Sequence, residues 1–373
     1  YRNYNGYTAQ EGIYGQAEYT MLDKRLNLVL SGALNNNTYW RRDFLYYDKE
    51  HERSATKNFI GGTIKGGANY NFDKHNNVFF NTGFISRAPF FQKGVFVQAA
   101  TSNVTNDNPL NEKVFSFELG YGYTSDPLAI TVNGYYTKWM DKTTAQGGTV
   151  NDTRSEHYGE RYFLNMAGVD ALHMGVEVNM SWVPVQWFNL DAMLSLGDWK
   201  WDSDASGSFY NQLGQPLADT KGNVASGINA PDHLTATIKQ KGIHVGGSAQ
   251  TTGSISANFI PFRGFRIGGD WTFNARNYSD FQISTSSLEN GGTLNIAQPW
   301  RIPWGQQLDL NASYRFKMGG FNATIYGNVY NLFNYNYVVD AYTNSNERGT
   351  WQNAARVFYS FGRTYSLRLK INF

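Results

Sequence analysis

The 373-residue chain contains no cysteine, which removes disulfides, zinc–thiolate sites and thiol nucleophiles together. No run of about 18 apolar residues occurs, so no transmembrane helix is expected. Helical periodicity is missing as well, and no capping box opens an amphipathic segment. Proline is scarce, and charge of one sign is lacking: the net charge is +2, with no basic stripe for a nucleic-acid partner. The six histidines show no H-E-x-x-H spacing, and no G-x-S-x-G elbow, Walker loop or dinucleotide fingerprint appears; an enzyme is not expected. The mean hydropathy is negative, which would class a helical protein as soluble, but barrel strands need be apolar only at alternate positions. The sequence opens at Tyr1 without a methionine or signal peptide, as a processed or truncated product would.

Aromatic residues, by contrast, are abundant at 16%. A water–lipid interface is one place where such rings settle, apolar at one end and wet at the other. Alternation is the dominant pattern. Phe321, Ala323, Ile325, Gly327 and Val329 oppose Asn322, Thr324, Tyr326, Asn328 and Tyr330, which reads as a strand with one apolar and one polar face. Leu308 to Phe316 and Tyr365 to Phe373 alternate likewise, as do the segments around Phe117, Ile130, Val176 and Ile267.

Short turns are expected at 23–25, 73–76, 125–127, 183–185, 261–264 and 318–320. Long polar connections are expected near 35–60, 90–111, 143–161, 199–240, 278–300 and 341–356. This short–long rhythm predicts an all-β protein, a transmembrane antiparallel β-barrel with tight periplasmic turns and long extracellular loops. About 13 strands of about 9–11 residues are expected, the last running inward, with residues 1–11 in an extracellular loop. An odd count that starts outside is not a complete bacterial barrel.

The last strand, Thr364 to Phe373, resembles the terminal signal of outer-membrane proteins, in which a final Phe is read by the assembly machinery. Asn328-Val329-Tyr330-Asn331-Leu332-Phe333-Asn334 resembles the N-x-x-N-L-F motif of TonB-dependent transporters. Asn111-Glu112 with Ser116, Glu118 and Gly120 resembles another strand of that family. Gly175-Val176-Glu177 resembles its G-x-E strand, and Ser86-Arg87-Ala88-Pro89 its Arg-x-Pro segment. The Tyr/Asn-rich style is similar to members from Bacteroidetes.

The resemblance implies the C-terminal strands, about 13 of about 22, of an outer-membrane receptor. It implies active uptake of a scarce nutrient: a siderophore, cobalamin, glycan or peptide. The TonB complex would be met through an N-terminal plug region outside this sequence, and a surface lipoprotein is a candidate partner. A passive porin, a barrel scaffold for surface lipoproteins and a soluble surface adhesin are the alternatives.

Candidate ligand residues are Tyr39, Trp40, Arg41, Arg42, Trp199 and Trp201, which could stack on a ligand and hydrogen-bond its anionic groups. With Phe44, Tyr46, Tyr47, Trp300 and Trp304 they fit equally an aromatic girdle, and the two arginines would also suit lipid phosphates. Lumen-facing polar residues such as Glu118, Asn133, Glu177, Asp270, Asp309, Arg315 and Arg368 could contact a plug, or fit plain hydration of the interior. Asp202, Asp204 and Ser206 copy the opening of a calcium loop, but Leu213 stands where the bidentate Glu belongs. No cofactor is expected beyond that candidate calcium ion.

Overall fold

The computed structural model describes all residues except 1, 100–102, 107, 222–233, 283–291, 345–346 and 373. The described backbone contains strands and no α-helix. The first eight strands are β1 (Tyr4–Met21), β2 (Leu26–Asp43), β3 (Lys57–Asn71), β4 (Asn76–Arg87), β5 (Glu112–Thr124), β6 (Leu128–Thr149), β7 (Arg161–Val185) and β8 (Phe188–Trp201). After the short β9 (Ala205–Tyr210) and β10 (Thr235–Lys239) come β11 (Thr251–Phe262) and β12 (Phe265–Ala275). Four short pieces follow: β13 (Asn277–Tyr278), β14 (Asp280–Gln282), β15 (Thr293–Asn295) and β16 (Arg301–Ile302). The chain ends with β17 (Gly305–Met318), β18 (Phe321–Tyr330), β19 (Val338–Asn344), β20 (Ala354–Tyr359) and β21 (Thr364–Asn372).

Thirteen of these pair in the order β1 to β8, β11, β12, β17, β18, β21, each antiparallel to the next. This matches the expected wall. The sheet is open, with β1 and β21 as its two edges.

Register converts the alternation into two faces. Leu28, Ala68, Phe80, Leu119, Gly134, Val176 and Leu196 form one continuous row across seven strands. Its large members are exposed, Leu119 by 57% and Leu196 by 47%, as lipid-facing side chains are when no lipid is counted. The neighbouring row on the other face is Asn27, Asn69, Phe79, Gly120, Asn133, Glu177 and Ser195, which makes the lumen polar. Gly120 is required there: a Cβ would lie 2.1 Å from Cζ of Phe79, whose ring crosses it.

Three boundaries differ from expectation. Residues 4–11 are strand, not loop, because β2 continues to Asp43 and pairs with β1 up to Tyr4; Tyr7 stacks on Trp40 at 5.1 Å. Pairing at their upper ends carries β6 and β7 to 22 and 25 residues, well past the span that lipid requires. The segment 183–185 lies within β7, and the turn falls at 186–187. The register shifts between Trp182 and Val185, an irregularity that accommodates Pro184, which has no N–H for the ladder.

The apolar core lies in the loops. Val150, Leu164, Met166, Phe209, Leu217, Ile238 and Leu294 are at most 2% exposed and pack together, where β9, β10 and β15 pair with one another and with the top of β7. The terminal Phe373 lies outside the described residues.

Candidate functional site

The N-terminal rim residues are committed to structure. Tyr39 packs edge-on against Phe91 and beside Phe59. Trp40, on the opposite face, carries Arg53 over its ring at 5.7 Å. Arg41 is 2% exposed, pairs with Asp43 at 2.9 Å and lies 4.0 Å over the Tyr4 ring. Burial raises the Asp43 carboxyl, but the N–H groups of Tyr46 and Leu45 and the Arg41 guanidinium outweigh it and hold the group below its usual value. Arg42 is locked to Glu52. This is an architectural corner.

Trp199 and Trp201 belong to a different cluster, on β8. Three successive inward rows cross β6, β7 and β8: Tyr135–Gly175–Gly197, Thr137–His173–Trp199 and Trp139–Ala171–Trp201. In the lowest row the glycines make room for Tyr135, whose hydroxyl would sit 2.7 Å from a Cβ on Gly175. That hydroxyl accepts the Trp199 Nε1–H at 2.9 Å. Trp199 packs against the His173 ring at 5.4 Å. In the top row Ala171, only 1% exposed, separates two indoles.

Cations complete the wall. Asp141 adopts a positive φ of 58° where the β6–β7 register shifts between Trp139 and Lys142, a bulge that re-aims the following side chains. Lys142 thereby lies 5.3 Å from the Trp139 ring and 5.7 Å from that of Trp201. Arg87 sits 5.7 Å from the Trp139 ring and is held by Glu112. Glu112 is 1% exposed. Buried His173 Nδ1, Trp201 Nε1 and Thr143 Oγ1 have no hydrogen-bond partner among the described residues. Two cations, three indoles and spare polar atoms can receive an anion that also offers a flat or apolar face. Only Trp199 and Trp201 of this group were expected from sequence. Inward alternation on β6 could have added Trp139, but nothing local signals the bulge that turns Lys142.

The acidic loop is dispersed. Asp202 pairs with Lys138 at 2.7 Å, and Asp204 with Lys239 at 2.9 Å. The Lys239 ammonium, together with N–H groups of Lys241 and Gln240, holds the Asp204 carboxyl below its usual value against the opposing effect of burial. Ser206 is spent in β9, paired with Ala167 and Thr237. No group of three metal-ligating side chains occurs among the described residues.

Segments far apart in sequence meet here. Arg87 and Glu112 face each other across β4 and β5, and Asn111 Nδ2 donates to Ser86 Oγ at 3.1 Å. Beyond β18, Asn331 (φ 53°) and Asn334 (φ 52°) turn the chain. Asn331 Nδ2 donates to the carbonyls of Tyr335 and Phe361, and Asn334 Oδ1 accepts the Arg363 N–H, joining β18 to the start of β21.

A long antiparallel wall, apolar outside and polar inside, with short turns at one end and long loops at the other, defines a bacterial outer-membrane β-barrel. Residues 1–332 match the family model described as TonB dependent receptor-like, beta-barrel, and the chain belongs to that family. No curated relative matches the sequence. Among solved structures, the copper transporter OprC superposes with a TM-score of 0.63 at 14% identity, over 98% of this chain and 48% of its own. The unliganded ferric citrate transporter FecA gives 0.62 at 12% identity, over 100% and 46%. The siderophore receptor PiuA from Acinetobacter baumannii gives 0.60 at 12%, over 99% and 44%. At such identities the likeness is one of fold, and the chain spans about half the length of these structures.

Proposed function

We propose that this chain is the C-terminal wall of a TonB-dependent outer-membrane receptor that takes up a scarce, anionic nutrient. The lumen wall at the loop end, from Arg87 to Trp201, is its contact with the ligand. The supporting observation is Lys142, placed by a bulge between the rings of Trp139 and Trp201 and without an ion-pair partner among the described residues. A cation held against aromatic faces favours an anion over a neutral solute. Energy from TonB would reach the site through the N-terminal region that relatives of twice this length contain. The ferric citrate in the name of FecA is a carboxylate complex of that class, whereas the copper in the name of OprC is a cation and is not.

The test begins with a strain lacking the gene, screened for a nutrient whose uptake at limiting concentration it loses. Lys142→Met, which keeps the stem and removes the charge, is expected to cut that uptake about ten-fold at unchanged outer-membrane abundance, the equivalent of one charge-assisted contact. A protonophore should abolish uptake by the unaltered protein. Steady conductance in planar bilayers, or uptake that ignores the protonophore, would replace this reading with a passive porin.

A further inference from the structure

We propose that the turn-end mouth of the lumen is a docking surface for an acidic stretch of this chain, the stretch that leads into the first of the strands completing the wall. The inference rests on the receptor reading above, in which further strands of the same polypeptide close the barrel.

Register gathers cations at this mouth. Ser195, on the inner face, pairs with Thr252, and Thr252 with Asn274. Arg266 lies an even number of residues along β12 from Asn274 and faces the same way. Its row continues through Ser313 and Tyr326 to Arg368. The next row toward the turns is Arg315, Thr324 and Lys370, and the last is Lys317, Asn322 and Asn372. With strands about 4.8 Å apart and rows about 7 Å apart, the Cα atoms of these arginines and lysines fall within roughly 17 Å of one another. Arg266, Arg315, Lys317, Arg368 and Lys370 are all exposed, and none is in an ion pair among the described residues.

The surrounding wall does not neutralise them. Asp270 and Asp309 face each other two rows farther from the turns. Asp270 accepts from Asn311 Nδ2 at 3.1 Å, and Asp309 from Gln307 Nε2 at 2.8 Å and the Asn331 N–H at 2.7 Å. On β3 to β7 the turn-end inner positions are neutral, among them Asn71, Asn77, Thr131, Asn179 and Ser181. A wet lumen needs polar side chains, but not charge of one sign gathered in one sector, where like charges repel. Such a patch complements a partner that carries carboxylates.

Chain direction identifies the partner. With thirteen antiparallel strands β1 and β21 run the same way, from the loop end to the turn end, so an odd number of strands joins them. The strand that pairs with β21 is antiparallel to it and starts at the turn end. In chain order around the wall it is the first strand, and the residues before it emerge beside Lys370. From β21 to β12 is three strand spacings, about 14 Å, which an extended chain crosses in about five residues. The lead-in is thus the segment that reaches the patch with the least chain, and aspartates or glutamates in it would meet the cations in charge-assisted pairs.

The test uses the full-length receptor purified in detergent. A carbodiimide, which joins a carboxylate to an amine only where the two are in contact, is followed by peptide mass spectrometry. Lys317 or Lys370 should be joined to an Asp or Glu that precedes Tyr1 in the polypeptide. Arg315→Gln, Arg368→Gln and Lys370→Gln together should expose the lead-in, raising its cleavage rate by proteinase K about ten-fold or more, the loss expected when charge-assisted contacts are removed. Salt at about 0.5 M should speed cleavage of the unaltered protein and leave the triple variant as it is, because screening acts on the charge pairs. Heat-dependent gel mobility checks that the wall of the variant is folded. Three results would overturn the proposal and leave the receptor reading intact: no links from these lysines, links only to carboxylates within residues 1–373 or to another chain, or full protease resistance in the triple variant. A denatured mass of 42.1 kDa would overturn both.

Discussion

Single residues on the inner face are constrained by what crosses them. Gly120 faces the Phe79 ring so closely that Gly120→Val must displace it; overpacking of this kind costs about 1–3 kcal/mol. The heat-dependent shift in gel mobility should fall to a lower temperature in this variant, and adding Phe79→Ala should restore it. Unchanged mobility would mean the ring has another resting place. Asp280, in the β12–β17 connection, has its carboxyl raised first by burial and then by Asp340. A carboxyl raised on folding stabilises the fold only below its unfolded value near 3.9, and that contribution is lost as pH rises through the folded value. Asp280→Asn should therefore slow hydrogen exchange in β14 and β19 at pH 7 and lose the advantage near about pH 3. Legibility at this scale was partial. Trp199 and Trp201 were visible as aromatic rim residues, but Lys142 was hidden by a bulge. Asp43 lies two residues beyond Arg41 on the same face of β2, a local pairing that alternation implied but that was not read; Arg42 gave no hint of Glu52, ten residues on across a loop, where charge pairing leaves no local pattern.

Strands were far easier to read, because period-two alternation over many residues states both the element and its faces. The segments named for their alternation all lie in wall strands, the thirteen-strand wall agrees with the expected count, and five of six short turns fell where expected. What failed was length: the expected loops at 35–60 and 143–161 begin with strand, since polar residues above the membrane pair as well as apolar ones within it. The N-x-x-N-L-F stretch begins in β18, the penultimate wall strand, with Asn328 to Tyr330, and runs on into a connector whose two left-handed asparagines staple β18 to β21, conformations that asparagine tolerates better than most residues. The two faces should respond oppositely to charge. Leu194 stands in the apolar row with Val132 and Val178, and Leu194→Arg should cost about 2–4 kcal/mol if it lies near the bilayer midplane. Ser195→Arg, one residue on and facing the lumen, should assemble normally. Refolding into vesicles under a urea series measures both, and equal destabilisation would refute the assignment of faces.

The two outer edges carry the largest consequence for the whole molecule. Leu367 of β21 is 77% exposed and Tyr14 of β1 is 80% exposed, and each of these strands presents an outer row of backbone N–H and C=O groups that no further strand among the described residues meets. In lipid such groups cost several kcal/mol each, so the wall must be completed in the membrane. Direct closure of β1 on β21 is disfavoured by direction: with thirteen antiparallel strands the first and last run the same way, and their union would be a lone parallel pair. An odd number of additional strands removes the conflict, in keeping with relatives about twice as long. The chain has no cysteine, so paired cysteines introduced at outward positions of β1 and β21 report the seam cleanly. No disulfide should form between the edges, and the detergent-purified protein, denatured, should have a mass well above 42.1 kDa. A disulfide at 42.1 kDa would mean that thirteen strands close on themselves with a parallel seam. A mass of 42.1 kDa without one would mean that another chain supplies the missing wall.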